Sequence, residues 1–199
     1  MQGFFVTGPF DDGDPVTGHY YEMASDDPAR PQVWGYTAAL SYKPGDTLRL
    51  HAMSSASEAR LTITRDGLAP QTVLQTTIAT RFAPTPADCS VTGCGWPLAF
   101  ESVIPADWPT GVYAFTLAVD GHESQGMFVL KPAKPTAKLA IILATGTWCA
   151  YNDWGGSNHY QGLTGRSGRD FAGEVSLLRP WAKGFVRWPD DAPRIPHAS

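Results

Sequence analysis

The sequence has few charged residues, few cysteines and no long apolar segment. Charged side chains make up 17% of its 199 residues, below the roughly 25% of an average soluble domain, and its lysines and arginines are scattered. Without a basic run the chain has no surface that would follow a phosphate backbone, so we expect no nucleic-acid partner. No segment approaches the ~18 apolar residues of a membrane span, and Met1–Phe5 lacks the pattern of a signal peptide. We therefore expect a cytoplasmic protein with no membrane partner.

Three cysteines are too few for a disulfide framework. Cys89 and Cys94 are spaced closely enough to form a metal-binding pair, but no second Cys or His pair follows at a matching spacing. Free thiols in a reducing compartment are the expectation for both residues and for Cys149.

Glycine, proline and aromatic residues are plentiful. The chain contains 20 glycines and 17 prolines, 12% of it is aromatic, and 43% is hydrophobic. This composition excludes a coiled coil, a helical bundle and a charged disordered tail, and it is typical of short strands joined by turns.

Alternating apolar and polar residues predict an antiparallel, immunoglobulin-like β-sandwich over residues 32–131. The predicted strands are Thr47–Met53, Ala59–Arg65, Leu98–Val103, Gly111–Val119 and Gly126–Leu130. Turn signals separate them at Pro44-Gly45, Asp66-Gly67 and Asp120-Gly121. Residues 1–31 are expected to form an irregular arm with one short strand at Gly18–Met23.

The pattern changes after a proline-containing linker at residues 132–138. Leu139–Leu143 is continuously apolar, as expected of a strand that is buried on both faces in a parallel sheet. We expect Ala144–Trp148 to be a loop at the carboxyl end of that strand, where α/β sheets bind ligands. Residues 139–199 cannot complete such a sheet, so we expect the chain to be a fragment that ends early in an α/β domain.

The densest group of polar and aromatic side chains is Thr147–Tyr160. A sharp reversal at Gly155-Gly156 would bring Tyr151 and Tyr160 face to face. Two phenolates at one point require a cation, and a hard Lewis acid such as Fe(III) would remove both protons and bind the oxygens. The alternative is that these aromatic residues only pack the loop and that each hydroxyl makes an ordinary hydrogen bond.

Several segments of the chain resemble the large (beta) subunit of N,N-dimethylformamidase and its relatives. The resemblance covers roughly residues 33–188 and is expected to represent the N-terminal part of that subunit. The most specific segment is Ala150–Gly156 with Ser157–Tyr160 after it; weaker ones are Gly93–Pro97, Ile104–Tyr113 and Val175–Pro180.

This resemblance implies an amidohydrolase that cleaves a formamide C–N bond with a mononuclear iron. In the family two Tyr and one Glu hold the iron, in an α/β domain resembling the glutamine amidotransferases. Carried over to this chain, Tyr151 and Tyr160 are the metal ligands, and Asn152, Trp154 and His159 bind substrate or support the ligands. The Glu ligand would lie beyond Ser199, so the fragment alone is expected to be inactive. The expected partners are a small amide substrate, a small second subunit and further copies of the chain.

Two alternatives involve other residues. The sheets could form a carbohydrate- or protein-binding module without catalysis, with Trp34, Trp96 and Trp108 as an exposed platform. Cys149 could instead act as a nucleophile after a strand, although no tight glycine elbow flanks it.

Overall fold

The computed structural model describes residues 22–160 and 172–187. These residues form two sheets and two short helices. The strands are β1 (Val33–Thr37), β2 (Ser41–Tyr42), β3 (Thr47–Ser54), β4 (Glu58–Arg65), β5 (Gln71–Ala79), β6 (Leu98–Val103), β7 (Gly111–Val119) and β8 (His122–Leu130). The helices are α1 (Cys89–Thr92) and α2 (Thr145–Tyr151).

The smaller sheet has the order β1-β3-β6 and the larger one β2-β8-β7-β4-β5. All neighbouring strands are antiparallel except β2 and β8, which pair in parallel. The expectation of a mostly β protein is therefore confirmed for the described part of the chain.

The two sheets share one apolar core. Leu48 and Leu50 of β3 lie in the same cluster as Leu61 and Ile63 of β4 and Phe115 of β7, and each is at most 3% exposed. Along β3 and β4 these residues alternate with more exposed ones, as expected of strands with one buried face. Burying each such side chain contributes about 1.5–3 kcal/mol to folding.

The predicted turns at Pro44-Gly45 and Asp120-Gly121 are confirmed. In the turn before β3, Asp46 N–H donates to the Lys43 carbonyl at 3.0 Å, and Gly45 has a φ of +89°. Asp120 and Gly121 both have positive φ, +45° and +77°. This is the requirement of a two-residue type I′ hairpin, the connection whose twist suits paired strands. It joins β7 directly to β8, so β8 begins earlier than the predicted Gly126.

Three strands, β1, β2 and β5, were not predicted from the sequence. β1 contains Gly35, where a Cβ atom would lie only 2.6 Å from Leu117 Cδ1, so glycine is needed for close packing. Because glycine is uncommon inside strands, its presence masks the strand pattern in the sequence. β2 has only two residues. β5 is a polar edge strand in which only Ile78 is buried, so it shows no apolar alternation.

The predictions for residues 139–148 are wrong. Leu139–Leu143 form no strand, and Leu139, Ile141 and Ile142 are 87%, 87% and 95% exposed. An apolar run becomes a strand only beside another strand, and none of the described strands pairs with this segment. Of Ala144–Trp148, expected as a loop, Thr145–Trp148 form the first part of α2 instead, and Ala144 is its N-cap residue. Ala144 makes no side-chain cap hydrogen bond there, so the helix start carries no sequence signature.

A second apolar cluster lies beside the shared core and supports the loop after α2. It brings together Tyr36 and Met53 of the smaller sheet, Cys89 of α1, and Trp154 and Ala182 of the later segments. Through it, residues far apart in sequence hold the end of α2 against the sheet.

The short strand predicted at Gly18–Met23 lies largely outside the described residues, and Glu22 and Met23 belong to no strand. Of the helices in the described ranges, none has the length and apolar character needed to cross a membrane.

Candidate functional site

Tyr151 and Tyr160 stack on each other at the end of α2. Their ring centroids are 4.2 Å apart and their planes differ by 20°. Between them the chain reverses at Gly155 and Gly156, whose φ angles are +85° and +99°. The rings are 39% and 58% exposed, so both phenols can be reached from solvent. The predicted juxtaposition is thus present; the role of the pair as metal ligands stays a prediction.

The two phenols are electrostatically linked. The hydrogen bond with Tyr160, followed by the charge that Tyr160 carries when ionised, raises the pKa of Tyr151. Tyr160 therefore makes ionisation of Tyr151 harder, as expected of an acid beside a second acid. A bound cation would reverse this balance, because it favours both phenolates at once.

Asn152 anchors the loop to the segment after Arg179. Its side-chain amide donates to the Pro180 carbonyl at 2.8 Å, and its Oδ1 accepts from Ala182 N–H at 3.0 Å. The same oxygen accepts from Trp154 N–H at 3.3 Å. Asn152 is 3% exposed, so its polar atoms are used within the protein and it acts as a support.

Asn158 plays the matching part on the far side of the reversal. Its amide donates to Asp153 Oδ1 at 2.6 Å, and its Oδ1 accepts from Tyr160 N–H at 2.7 Å. Asn158 and Asp153 are both 1% exposed. The backbone of Tyr160 is therefore held by a buried side chain, which limits where its ring can lie.

Trp154 is a core residue. It is 0% exposed, and its ring meets those of Trp34 and Trp96 edge-on, each at a centroid distance of 5.6 Å. Of the two roles that the resemblance implied, contact with substrate and support of the ligands, this position favours support.

His159 is half-buried beside Tyr160. Its Nδ1 lies 2.8 Å from the Ala172 carbonyl, and its backbone N–H donates to the Ala150 carbonyl at 3.1 Å. Because a carbonyl can only accept, Nδ1 carries the proton and Nε2 is the basic nitrogen of the neutral ring.

Arg179 lies beneath the reversal and is 2% exposed. Its Nη1 donates to the carbonyl of Trp154 and, at 3.0 Å, to that of Ser157. Its Nε donates to the Ser176 carbonyl at 3.1 Å. No role for this residue was predicted from the sequence, although it is the one charged residue in the otherwise uncharged segment 175–182. That isolated charge is the signal that could have found it.

Glu22 is a second residue of this site that was not predicted from the sequence. Its carbonyl accepts from Gly155 N–H at 2.8 Å, and its Oε2 accepts from Lys183 N–H at 2.7 Å. Burial raises the pKa of its carboxyl group, against the opposing effect of Lys183. Glu22 therefore joins the reversal to the segment after Arg179.

All three cysteines are free and buried. Burial raises the pKa of Cys149, which is 7% exposed and lies within α2. A nucleophilic cysteine needs an accessible thiolate, so this environment does not favour Cys149 in that role. Cys89 and Cys94 lie together, and a hydrogen bond from Cys94 lowers the pKa of Cys89.

The three tryptophans of the alternative platform are not on one surface. Trp96 is 3% exposed and lies in the second apolar cluster with the half-buried Trp34. Trp108 instead stacks on Tyr113, at a centroid distance of 5.3 Å, against the shared core. The structure therefore provides no common stacking platform for a sugar among them.

Within residues 22–160 and 172–187, no three His, Cys, Asp or Glu side chains are grouped so that they could hold a metal ion. Oxygen donors that lie together are nevertheless present in the Tyr151–Tyr160 pair.

Comparison with known proteins places this arrangement in a family. None of the curated proteins matches the chain. A family model described as N,N-dimethylformamidase beta subunit-like, C-terminal, matches residues 55–195, which include the paired tyrosines, their loop and Arg179. The matched model is that of the C-terminal region, so the comparison supports the expected family but not the expected placement in the N-terminal part of the subunit. Because the match covers more than half of the chain, the protein belongs to the N,N-dimethylformamidase beta subunit-like family.

Proposed function

We propose that this chain is part of an iron-dependent amidohydrolase that cleaves the C–N bond of a small amide. In this proposal Tyr151 and Tyr160 are two of the iron ligands. The observation that carries it is the stacked pair of exposed phenols, with centroids 4.2 Å apart, inside the region that matches the family.

The donor set fits the proposed metal in part. Phenolate oxygens are hard donors that suit Fe(III), and a cation would relieve the effect of Tyr160 that raises the pKa of Tyr151. A third ligand, which we expect to be a carboxylate, would come from outside residues 1–199. When bound, iron would supply Lewis-acid polarisation of the amide carbonyl.

The chain's own residues would hold and orient the reacting groups. The buried amides of Asn152 and Asn158 fix the backbone on both sides of the reversal. We propose that His159, whose Nε2 is the basic nitrogen, exchanges a proton with the departing amine. Trp154 excludes water from beneath the loop because it is fully buried.

We also propose the domain types and the assembly of the protein. The shared core of the two sheets supports an immunoglobulin-like sandwich. We further propose that residues 139–199 begin an α/β domain resembling the glutamine amidotransferases. The family's description as beta subunit-like supports a small partner subunit, and we propose a homo-oligomer in the cytoplasm.

The test is to add Fe(III) to the purified chain and record its visible spectrum. We expect a broad absorption band from charge transfer between phenolate and iron. This band should be absent in Tyr151→Phe and in Tyr160→Phe. Tyr113→Phe is the matched control, because Tyr113 is 0% exposed and its hydroxyl donates to the Pro109 carbonyl. The control should keep the band.

A folded protein that stays colourless with Fe(III), or a band that survives in both Tyr151→Phe and Tyr160→Phe, would overturn the proposal. Circular dichroism of each variant establishes that the fold is intact before the spectra are compared.

A further inference from the structure

Arg179 is a buried cation whose hydrogen bonds within the described residues all go to neutral carbonyls. Nη1 serves both Trp154 and Ser157, and Nε serves Ser176. The first two carbonyls lie on opposite sides of Gly155-Gly156. One planar guanidinium therefore joins the chain entering the reversal to the chain leaving it.

Burying this charge is costly, and the cost is not fully offset within the described residues. Desolvation lowers the pKa of Arg179, and its Nη2 is buried without a hydrogen-bond partner among those residues. The charged or chargeable groups that act on it are Cys89, Cys149, Cys94 and Asp153. An arginine kept in such a place indicates a requirement for its particular geometry, since apolar residues of similar volume often stabilise a fold better.

The segment that Arg179 holds is the one that carries Tyr160. From Ser157 the chain passes to Asn158, whose Oδ1 accepts from Tyr160 N–H. On the other side, Trp154 N–H donates to Asn152, which directly follows Tyr151. Displacing the Trp154 and Ser157 carbonyls would therefore change the separation of the two phenols.

We propose that Arg179 is a positioning residue that holds the Trp154–Ser157 reversal so that the phenols of Tyr151 and Tyr160 face each other. Its consequence for metal binding rests on the proposed function; its effect on the tyrosine pair does not. Lysine would keep the charge but could not reproduce the planar fork of donors that reaches several carbonyls.

The experiment compares Arg179→Lys with the wild-type chain. The matched control is Arg65→Lys, because Arg65 also donates to a carbonyl, that of Thr110 at 3.0 Å, which lies outside the reversal. The first readout is alkaline titration of phenolate absorbance, with Tyr151→Phe in each background to isolate the signal of Tyr151. The second is titration with Fe(III), followed by the charge-transfer band.

We expect the pKa of Tyr151 to fall towards its ordinary value in Arg179→Lys, because the phenol then loses its hydrogen bond and charge contact with Tyr160. Iron affinity should fall about 10–100-fold, the usual effect of losing a residue that supports metal ligands. Arg65→Lys should change neither readout.

The outcomes separate the two proposals. If the wild-type chain forms no band, the iron proposal fails, and the Tyr151 titration alone decides the role of Arg179. If the band forms and both readouts are the same in a folded Arg179→Lys, the positioning role is overturned while the iron proposal stands. Arg179→Gln provides a second folded variant should Arg179→Lys fail to fold. If neither folds, Arg179 is required by the whole fold, which overturns a role confined to the reversal.

Discussion

Tyrosines in two kinds of environment show how burial and charge act on single residues. Tyr151 and Tyr160 are exposed, and Tyr160 raises the pKa of Tyr151. Tyr36 is 4% exposed, stacks on His51 at a centroid distance of 5.4 Å, and lies beside Trp96. Burial is the main cause that raises the pKa of Tyr36 to about 12. A phenol of this second kind belongs to the fold and should report on its stability.

The raised pKa of Tyr36 predicts a loss of stability in alkali. In the unfolded chain the phenol ionises near pH 10, whereas in the fold it holds its proton to about pH 12. Between these values the folded state binds more protons, so the free energy of unfolding falls as pH rises. Urea unfolding at several pH values should show this decline. In Tyr36→Phe the decline should be shallower but not absent, because burial also raises the pKa of Tyr42 and Tyr113.

The same slope in Tyr36→Phe and in the wild-type chain would contradict this prediction. Well below pH 10 both the folded and the unfolded phenol are protonated, so pH-dependence of stability there cannot come from Tyr36.

Contact between α1 and the reversal links two elements that are distant in sequence. Ser90 Oγ lies 2.7 Å from Ser157 Oγ. A Cβ atom on Gly155 would lie 2.9 Å from Cys89 Sγ. The helix is only four residues long, so its position depends on these contacts and on the second apolar cluster. Gly155 is therefore required for two reasons, its positive φ and the closeness of α1.

Gly155→Ala should destabilise the fold more than Gly45→Ala. Both glycines have positive φ, +85° and +89°, but nothing lies within 4 Å of a Cβ atom on Gly45. The shared strain costs about 1–2 kcal/mol, and overpacking against Cys89 should add about 1–3 kcal/mol at Gly155 alone. Urea unfolding of both variants measures the difference. Adding Cys89→Ala should recover part of it.

Equal losses in Gly155→Ala and Gly45→Ala would show that α1 does not press on the reversal. The same result would weaken the case that the packing beneath the tyrosines sets their position.

Local patterns predicted the elements whose cause is local. Asp120-Gly121 encodes a two-residue hairpin in its own φ preferences, and Gly155-Gly156 permits the reversal that brings Tyr151 to Tyr160. Arg179 reaches Trp154 across 25 positions, and no spacing rule covers such a contact. The polar edge strand β5 could not be predicted either, because it forms by pairing with β4 and has no apolar periodicity of its own.

The largest disagreement between sequence pattern and structure concerns the whole molecule. Leu139–Leu143 is the longest apolar run, yet Ile142 is 95% exposed. Ile63 of β4 provides the comparison, because it is also an isoleucine but is only 1% exposed within the shared core. Stability therefore distinguishes the two descriptions of the run.

Ile142→Ala should change the free energy of unfolding of this chain by no more than about 0.5 kcal/mol, as is usual for surface substitutions. Ile63→Ala should cost about 2–5 kcal/mol, because it leaves a cavity between the two sheets. Urea unfolding of both variants, with the slope against urea checked for constancy, gives the comparison. A cost at Ile142 similar to that at Ile63 would mean that the run is buried in solution, as its sequence predicts. The expected contrast would instead mean that the two sheets are stable without this run, which leaves it free to join the proposed α/β domain.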